Sequence, residues 1–358
     1  METKRIALIC NYQLRSDRIG GMDRFFRAFD TKAKDEGYVV DWFFTSYSGF
    51  KFYKELTIIS SEGQAIEQFA LNYIQKHQKP YGVVITHFTE LCTPFYKELK
   101  ALTNAYVIAV DHNPRPLAGV PFKKRVKNKI KGFLYGRYID QFVGVSQYTM
   151  DCILEDYGTY LLSKTKVIYN GIDTTVFKKR SAPNEGKFIV ASHLRPSKGV
   201  QDLLQALAQL ESFLKNNIQV DIYGEGPLEA ELKQQVQKLG LERTVKFYGS
   251  TSQLNDLFCN YSYMIQPAYM ECFSLSLLES LSANVPVITT QVGGNLELVK
   301  NEDNGFVFQA GDVNALVAIL KGIVKGERGI INTVNLQIEK NFSLEKMVEE
   351  HFNLVRCI

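Results

Sequence analysis

The six cysteines, at 10, 92, 152, 259, 272 and 357, form no C-x-x-C pair and have no histidine at ligand spacing. That excludes a zinc knuckle and a disulfide framework, and points to thiols kept reduced in a cytosol. No apolar run approaches the roughly 20 residues a membrane span needs. The opening KRIALIC is basic but its apolar run is short, so no signal peptide is expected. The cofactor fingerprints are missing as well. YGEGPLEAE supplies Gly224 and Gly226, but Glu229 stands where a dinucleotide G-x-G-x-x-G needs its third glycine. G-x-x-x-x-G-K-[ST] is absent, which excludes the P-loop nucleotide hydrolases. No D-x-D pair occurs, so the usual metal-clamped diphosphate site has no ligands and no metal or other cofactor is expected.

At 45% hydrophobic and 22% charged residues, the chain has the composition of a soluble globular protein, and 358 residues give room for two domains. Short β-branched and aromatic runs alternate with helical patterns throughout. The strand candidates of the first half are RIALICN, VVDWFF, YGVVITHF, AYVIAVDH, QFVGVS and KVIYNG. Those of the second are KFIVASHL, QVDIYGEG, VKFYGS, YMIQPA, PVITT and GFVF. Near-continuous apolar strands separated by amphipathic runs such as LLQALAQLESFL predict parallel sheets covered on both faces, hence two doubly wound α/β domains. The break is expected in the polar segment FKKRSAPNEGK, with Pro183 and Gly186. The predicted domains are 1–176 and 177–341, followed by a helix at 342–358. In such sheets ligands bind beyond the carboxyl ends of strands, and a cleft between two facing sheets is the expected site.

Charge is distributed unevenly. Residues 1–175 carry 24 Lys/Arg against 18 Asp/Glu, net +6, and residues 176–358 carry 18 against 20, net −2. The excess lies in VPFKKRVKNKIKGFLYGRY, where Lys123, Lys124, Arg125, Lys127, Lys129, Lys131 and Arg137 stand without an acid. Val126, Ile130, Phe133, Leu134 and Tyr135 interleave with them. This pattern suits an amphipathic helix on anionic lipid, although an ordinary solvated helix face also fits. No nucleic-acid partner is expected.

Three stretches carry candidate chemistry. In RIGGMDRFFRAF, Gly20 and Gly21 would let backbone N–H groups approach an anion at a helix start, unless this is simply a turn. In ASHLRPSKG, Arg195 and Lys198 precede a helix and suit a diphosphate, Arg by paired contacts and Lys as a point charge, although two solvated surface cations also fit. In MECFSLSLLESLSANVPVITTQVGGNLELV, Ser276 and Glu279 fit the S-x-x-E capping box. That explains Glu279 structurally but leaves Glu271, at the end of a strand, unexplained. A carboxylate beside an anion-binding helix start describes a site for a sugar with a phosphate leaving group. His87 and His112 also end strands of the first domain.

Taken in order, these segments resemble retaining glycosyltransferases of family 4, which have the GT-B fold. ECFSLSLLESLSANVPVITTQVGGNLELV is similar to that family's E-x7-E segment, QFVGVSQYT and KVIYNGIDTTVF to its interdomain junction, and YGEGPLEAELKQQVQKLGLERTVKFYGS to its base-site run. The resemblance implies two Rossmann-like domains facing a central cleft, with the last helix returning to the N-terminal, acceptor-binding domain. It implies that Glu271 and His112 contact the reacting sugar. Phe273, Ser274 and Leu275 would offer backbone contacts, Glu279 would hold the ribose, and Lys198 with a basic partner would neutralise the diphosphate. Gly20, Gly21 and Gly224 would also contact the donor. Ser192, His193 and Leu194 stand where the family often has G-R-L, so Arg195 or His193 would complete the clamp. Cys272 and Ser274 replace frequent glycines.

The expected activity is transfer of a sugar, with retention and without metal, from a nucleotide diphosphate donor (UDP-linked for preference) to an acceptor hydroxyl. The expected acceptor is a glycan or lipid-linked glycan in bacterial surface polysaccharide assembly. The enzyme would be cytoplasmic, on the inner face of the plasma membrane. An epimerase-like nucleotide-sugar enzyme and a non-catalytic nucleotide- or partner-binding protein are the alternatives.

Overall fold

The computed structural model describes residues 4–16, 19–182 and 185–357. Pro183, read as part of the interdomain break, lies outside them. The chain divides into two units, Met1–Gly171 with Leu344–Ile358, and Ile172–Ser343. The boundaries therefore differ from 176/177 and 341/342. The reason is local pairing: Ile172 donates its N–H to the Phe342 carbonyl at 3.0 Å and Lys178 donates to the Asn255 carbonyl at 3.0 Å, tying 172–178 into the second unit.

The first unit holds seven parallel strands: β1 (Arg5–Gln13), β2 (Val39–Ser46), β3 (Thr57–Ser60), β4 (Val83–His87), β5 (Tyr106–Asp111), β6 (Gln141–Gly144) and β7 (Thr165–Val167). Their order is β3-β2-β1-β4-β5-β6-β7, so the winding reverses between β1 and β4, where Cys10 pairs with His87. Every residue of β4 is buried, as a strand covered by helices on both faces requires. The helix Leu344–Arg356 belongs to this unit and buries Met347, Val348, His351, Phe352 and Val355. Phe352 meets Phe29 of the helix Gly21–Asp35 edge-on, with ring centroids 6.0 Å apart.

The second unit has six parallel strands: β8 (Lys187–Ala191), β9 (Gln219–Tyr223), β10 (Val245–Gly249), β11 (Tyr263–Gln266), β12 (Val287–Thr290) and β13 (Gly305–Phe308). Their order, β10-β9-β8-β11-β12-β13, reverses between β8 and β11. Both units are doubly wound, and in such sheets the reversal point is where loops diverge to leave a ligand crevice.

The amphipathic run LLQALAQLESFL is not one helix. It ends at Ala208 and resumes at Ser212, because the last turn tightens: the Gln209 N–H reaches both the Gln205 and Ala206 carbonyls.

Candidate active site

In the second unit, the loops after β8 and β11 leave adjacent strands at the reversal point and are fastened together. Gly199 has φ +70°, and a Cβ there would lie 1.8 Å from the Pro267 carbonyl oxygen. Only glycine allows that approach. The Tyr269 N–H donates to the Ser197 carbonyl at 2.8 Å. Fastened this way, the loops bring Lys198 Nζ within 2.5 Å of Glu271 Oε1, with side chains 13% and 10% exposed. A third loop, after β12, braces Glu271 from its backbone side: Gly293 has φ +57°, and a Cβ there would lie 1.7 Å from the Glu271 carbonyl oxygen.

The helix Leu275–Ser282 starts immediately afterwards. Leu277, Leu278 and Leu281 bury its inner face. Its N-cap is Ser274, whose Oγ accepts the Leu277 N–H at 3.4 Å and the Gln266 Nε2–H at 2.8 Å. Gln266 also donates to Ser276 Oγ at 2.9 Å. This corrects the capping box expected at Ser276 and Glu279. The cap lies two residues earlier, so Glu279 falls in the second turn, outside the reach of an N3 acid. Glu279 is half-buried and does not fill the capping-box position. The first-turn N–H groups, those of Leu275 and Ser276 among them, have no carbonyl four residues back within the helix and give this end partial positive charge.

The remaining donor-side candidates divide. The Phe273 ring is buried, 5.5 Å from Phe342, and Leu275 is half-buried at the first helical position. Arg195 is exposed ahead of the short turn Pro196–Lys198, and among the described residues its side chain forms no ion pair. Lys198 and Glu271 come together; Arg195 stays outside that pair. Gly224, at φ +127°, has a packing reason to be glycine: its Cβ would lie 2.0 Å from the Ser192 carbonyl oxygen. Gly226 does the same against Leu194, so this turn is the bed on which the 192–195 loop rests. Reading the sequence missed Gly199, Gly293 and Gln266. The glycine directly after Lys198 and before a helix was the available signal; nothing local marks Gln266.

In the first unit, Gly20 caps the helix Gly21–Asp35, but its N–H is donated to Asp23 Oδ2 at 2.7 Å. Asp23 is fully buried and also accepts from the hydroxyls of Tyr12 and Tyr53. The Gly20 N–H is therefore already engaged by a carboxylate of the chain itself. Gly21 is the buried first residue of that helix. A cavity of about 250 Å³ lined by Asn11, Tyr12, Gln13 and Arg15 opens at the end of β1.

His112 follows β5, stacks on Phe88 (centroids 4.2 Å, planes 21° apart) and shares a hydrogen bond of 3.0 Å between its Nε2 and His87 Nδ1. Phe88 itself sits at φ +60°, a strained position for an aromatic residue. His351 lies next to His87, with centroids 6.1 Å apart, and donates Nδ1–H to the Met347 carbonyl. Burial, then the neighbouring His351, pushes the His112 pKa down to about 3. Burial likewise lowers His351 to about 4, and holds His87 well below the usual range. His112 is therefore neutral near pH 7, able to hydrogen-bond a hydroxyl but not to serve as a charged acid.

These depressed values have a stability consequence. The unfolded chain binds protons that the folded histidines refuse, so stability is full above pH 6.5 and falls as pH drops towards 4. Each histidine contributes a slope of about 1.4 kcal/mol per pH unit in that window. Urea unfolding at pH 7, 6 and 5 is expected to show it, with a flatter dependence in His351→Leu. An equal slope in that variant would remove His351 from the cause.

The residues expected at a membrane all lie on or beside one helix, Phe122–Tyr135. Lys123, Lys124, Arg125 and Lys127 are exposed, whereas Lys131 pairs with Glu90 Oε1 at 2.5 Å.

Two doubly wound parallel-sheet units define the GT-B class of fold. Solved structures of that class match nearly the whole chain. HepE of Anabaena, solved in complex with UDP-glucose, aligns over 99% of this chain and 100% of its own at 19% identity and a TM-score of 0.78. Residues 172–340 match the family described as Glycosyl transferases group 1, and residues 19–176 match Glycosyltransferase Family 4. The chain belongs to family 4 of the glycosyltransferases. N-acetyl-alpha-D-glucosaminyl L-malate synthase of Bacillus anthracis is 28% identical over 199 residues, 52% of each chain. An uncharacterized glycosyltransferase of Methanocaldococcus jannaschii is 27% identical over 231 residues, 62% of each chain. The chain thus spans between half and two thirds of the length of these curated relatives.

Proposed function

We propose that the protein transfers a sugar, with retention of configuration, from a UDP-linked donor to an acceptor hydroxyl. The observation that carries this reading is the part-buried Lys198–Glu271 pair beside the start of the helix Leu275–Ser282. A diphosphate arriving there meets a half-buried ammonium and first-turn N–H donors, which together stabilise charge that develops on the leaving group. As Lys198 turns to phosphate, Glu271 is released to accept sugar hydroxyls and to oppose positive charge at C1. The bond from C1 to the phosphate oxygen breaks, a bond from C1 to the acceptor oxygen forms on the same face, and the hydroxyl proton passes to the departing phosphate. Lys198, with Arg195 or His193 for a partner, supplies the positive charge in place of a metal. Backbone groups of Phe273, Ser274 and Leu275 line the donor, Gly224 joins them in contacting it, and Glu279 holds the ribose. In the first unit, neutral His112 and Gly21 contact substrate. HepE was solved with UDP and with UDP-glucose, which favours uridine among the bases.

For the acceptor we infer a lipid-linked glycan of surface polysaccharide assembly, handled at the cytoplasmic membrane face, on the strength of the basic helix. A thermal-shift panel of UDP, GDP and ADP tests the donor reading. Selective stabilisation by UDP, lost in Glu279→Ala, is the expected result. No shift with any nucleotide would count against the donor site.

A further inference from the structure

Gln266, the last residue of β11, places a long polar side chain where the strand is otherwise core: it is 1% exposed, and Met264 and Ile265 before it are wholly buried. A buried amide is costly unless it is hydrogen-bonded, so the use of each of its hydrogens matters. One Nε2 hydrogen goes to Ser274 Oγ at 2.8 Å and the other to Ser276 Oγ at 2.9 Å. Among the described residues its Oε1 is buried without a partner. Turning the amide over would bury two N–H hydrogens without acceptors instead of one bare carbonyl oxygen, so the orientation with Nε2 on the serines is the better one.

The serine protons then follow by counting, since a hydroxyl has one proton to donate and two lone pairs to accept with. Ser274 Oγ accepts from Gln266 and, at 3.4 Å, from the Leu277 N–H, which fills both lone pairs. Its contact of 3.2 Å with Ser276 Oγ therefore runs from Ser274 to Ser276. Ser276 Oγ accepts twice, from Gln266 and from Ser274, and no acceptor for its own proton lies among the described residues. Ser276 is the half-buried second residue of the helix Leu275–Ser282. In a helix the Cα–Cβ bond leans towards the N-terminus, which brings this hydroxyl to the level of the first-turn N–H groups. Glu279, three residues on, shares its face of the helix.

We infer that Ser276 is a side-chain donor to the diphosphate of the nucleotide, and that Gln266 is the positioning residue that turns its O–H outward. The inference deepens the proposed donor site and rests on it. A hydroxyl that rotates freely can offer a phosphate oxygen either its proton or a lone pair; one whose lone pairs are both filled offers only the proton. That orientation is set before the nucleotide arrives, so no reorganisation is needed as charge develops on the leaving group. An O–H donor to an anionic oxygen is also roughly twice as strong as one to a neutral oxygen. The two serines thereby divide their work. Ser274 holds the Leu277 N–H and caps the helix, whereas Ser276 accepts from no backbone N–H, and capping gives it no task.

Calorimetric titration of UDP into the full chain and its variants tests this. Ser276→Ala is expected to bind UDP about tenfold more weakly, with an unchanged melting temperature because the hydroxyl holds no backbone group. Ser276→Thr keeps the O–H and is expected to bind within about threefold of the wild-type protein. Gln266→Leu leaves Ser276 in place but frees its lone pair, and is expected to weaken UDP by about threefold to fivefold. The double variant Gln266→Leu/Ser276→Ala is expected to bind no more weakly than Ser276→Ala alone, because Gln266 acts through that hydroxyl. Should Gln266→Leu fail to fold, the alanine and threonine variants decide alone. Equal affinity in Ser276→Ala and the wild-type protein would overturn the inference, and additive losses in the double variant would overturn the role of Gln266. Lys198→Ala separates this inference from the donor site on which it rests. Weaker binding in Lys198→Ala with unchanged binding in Ser276→Ala removes Ser276 and leaves the donor site standing, whereas no UDP binding by the wild-type protein removes both.

Discussion

Lys198→Met is expected to destabilise the folded protein by about 3 kcal/mol, because it leaves the Glu271 carboxylate buried without a counter-charge. The pair joins two loops 73 residues apart in sequence, and its side chains are only 13% and 10% exposed, so water screens it little. Adding Glu271→Gln to Lys198→Met removes the stranded charge, and the double variant is expected to be more stable than Lys198→Met alone. Urea unfolding of the two single variants and the double variant at pH 7 measures the coupling as the departure from additivity. Strictly additive costs would mean that the two groups do not depend on each other in solution. The coupling matters for function because an incoming diphosphate has to compete with Glu271 for the same ammonium. The donor would thereby free the carboxylate when it arrives.

Gly293→Ala is expected to cost about 2–4 kcal/mol and to reduce turnover by about a hundredfold. The backbone there has φ +57°, and the added Cβ would meet the Glu271 carbonyl oxygen at 1.7 Å, so the two loops have to part. Parting moves Glu271 away from Lys198 without altering either residue. Gly240 is the natural control. Its φ is +64°, but a Cβ there has open space within 4 Å, so Gly240→Ala carries the left-handed strain alone, about 1–2 kcal/mol. Thermal melts compare the two stabilities, and UDP release from a UDP-sugar with the acceptor in hand compares turnover. Equal effects of the two substitutions on both readouts would deny the brace any role beyond backbone strain.

Much of the architecture was legible in the sequence for a simple reason. Most of the strands are short apolar runs bounded by polar or glycine-rich segments, the form that a strand buried on both faces takes. Thr57–Ser60 escaped because a four-residue edge strand, with only two isoleucines between hydroxyl residues, is too short a run to stand out. Glu271 and Lys198 could be read as candidates from their places after strands. Their pairing could not, since it depends on β8 and β11 being neighbours and on two glycines that let the loops touch. The helix cap was misread by two residues because Ser274 and Ser276 both have the right chemistry. Gln266, which binds both hydroxyls, lies eight residues before the cap that was chosen. The basic helix shows the same limit. Its apolar and basic residues interleave in any reading, but the direction of the apolar stripe is decided by Gly132 against Tyr157, a contact between two helices.

The measurement that bears most directly on the donor site is calorimetric titration of UDP into the wild-type protein and into Lys198→Ala. One saturable site in the wild-type protein, weakened about tenfold to a hundredfold by loss of the ammonium, is the expected result. Saturable binding with the same affinity in Lys198→Ala would contradict the assignment of the diphosphate to the Lys198–Glu271 pair.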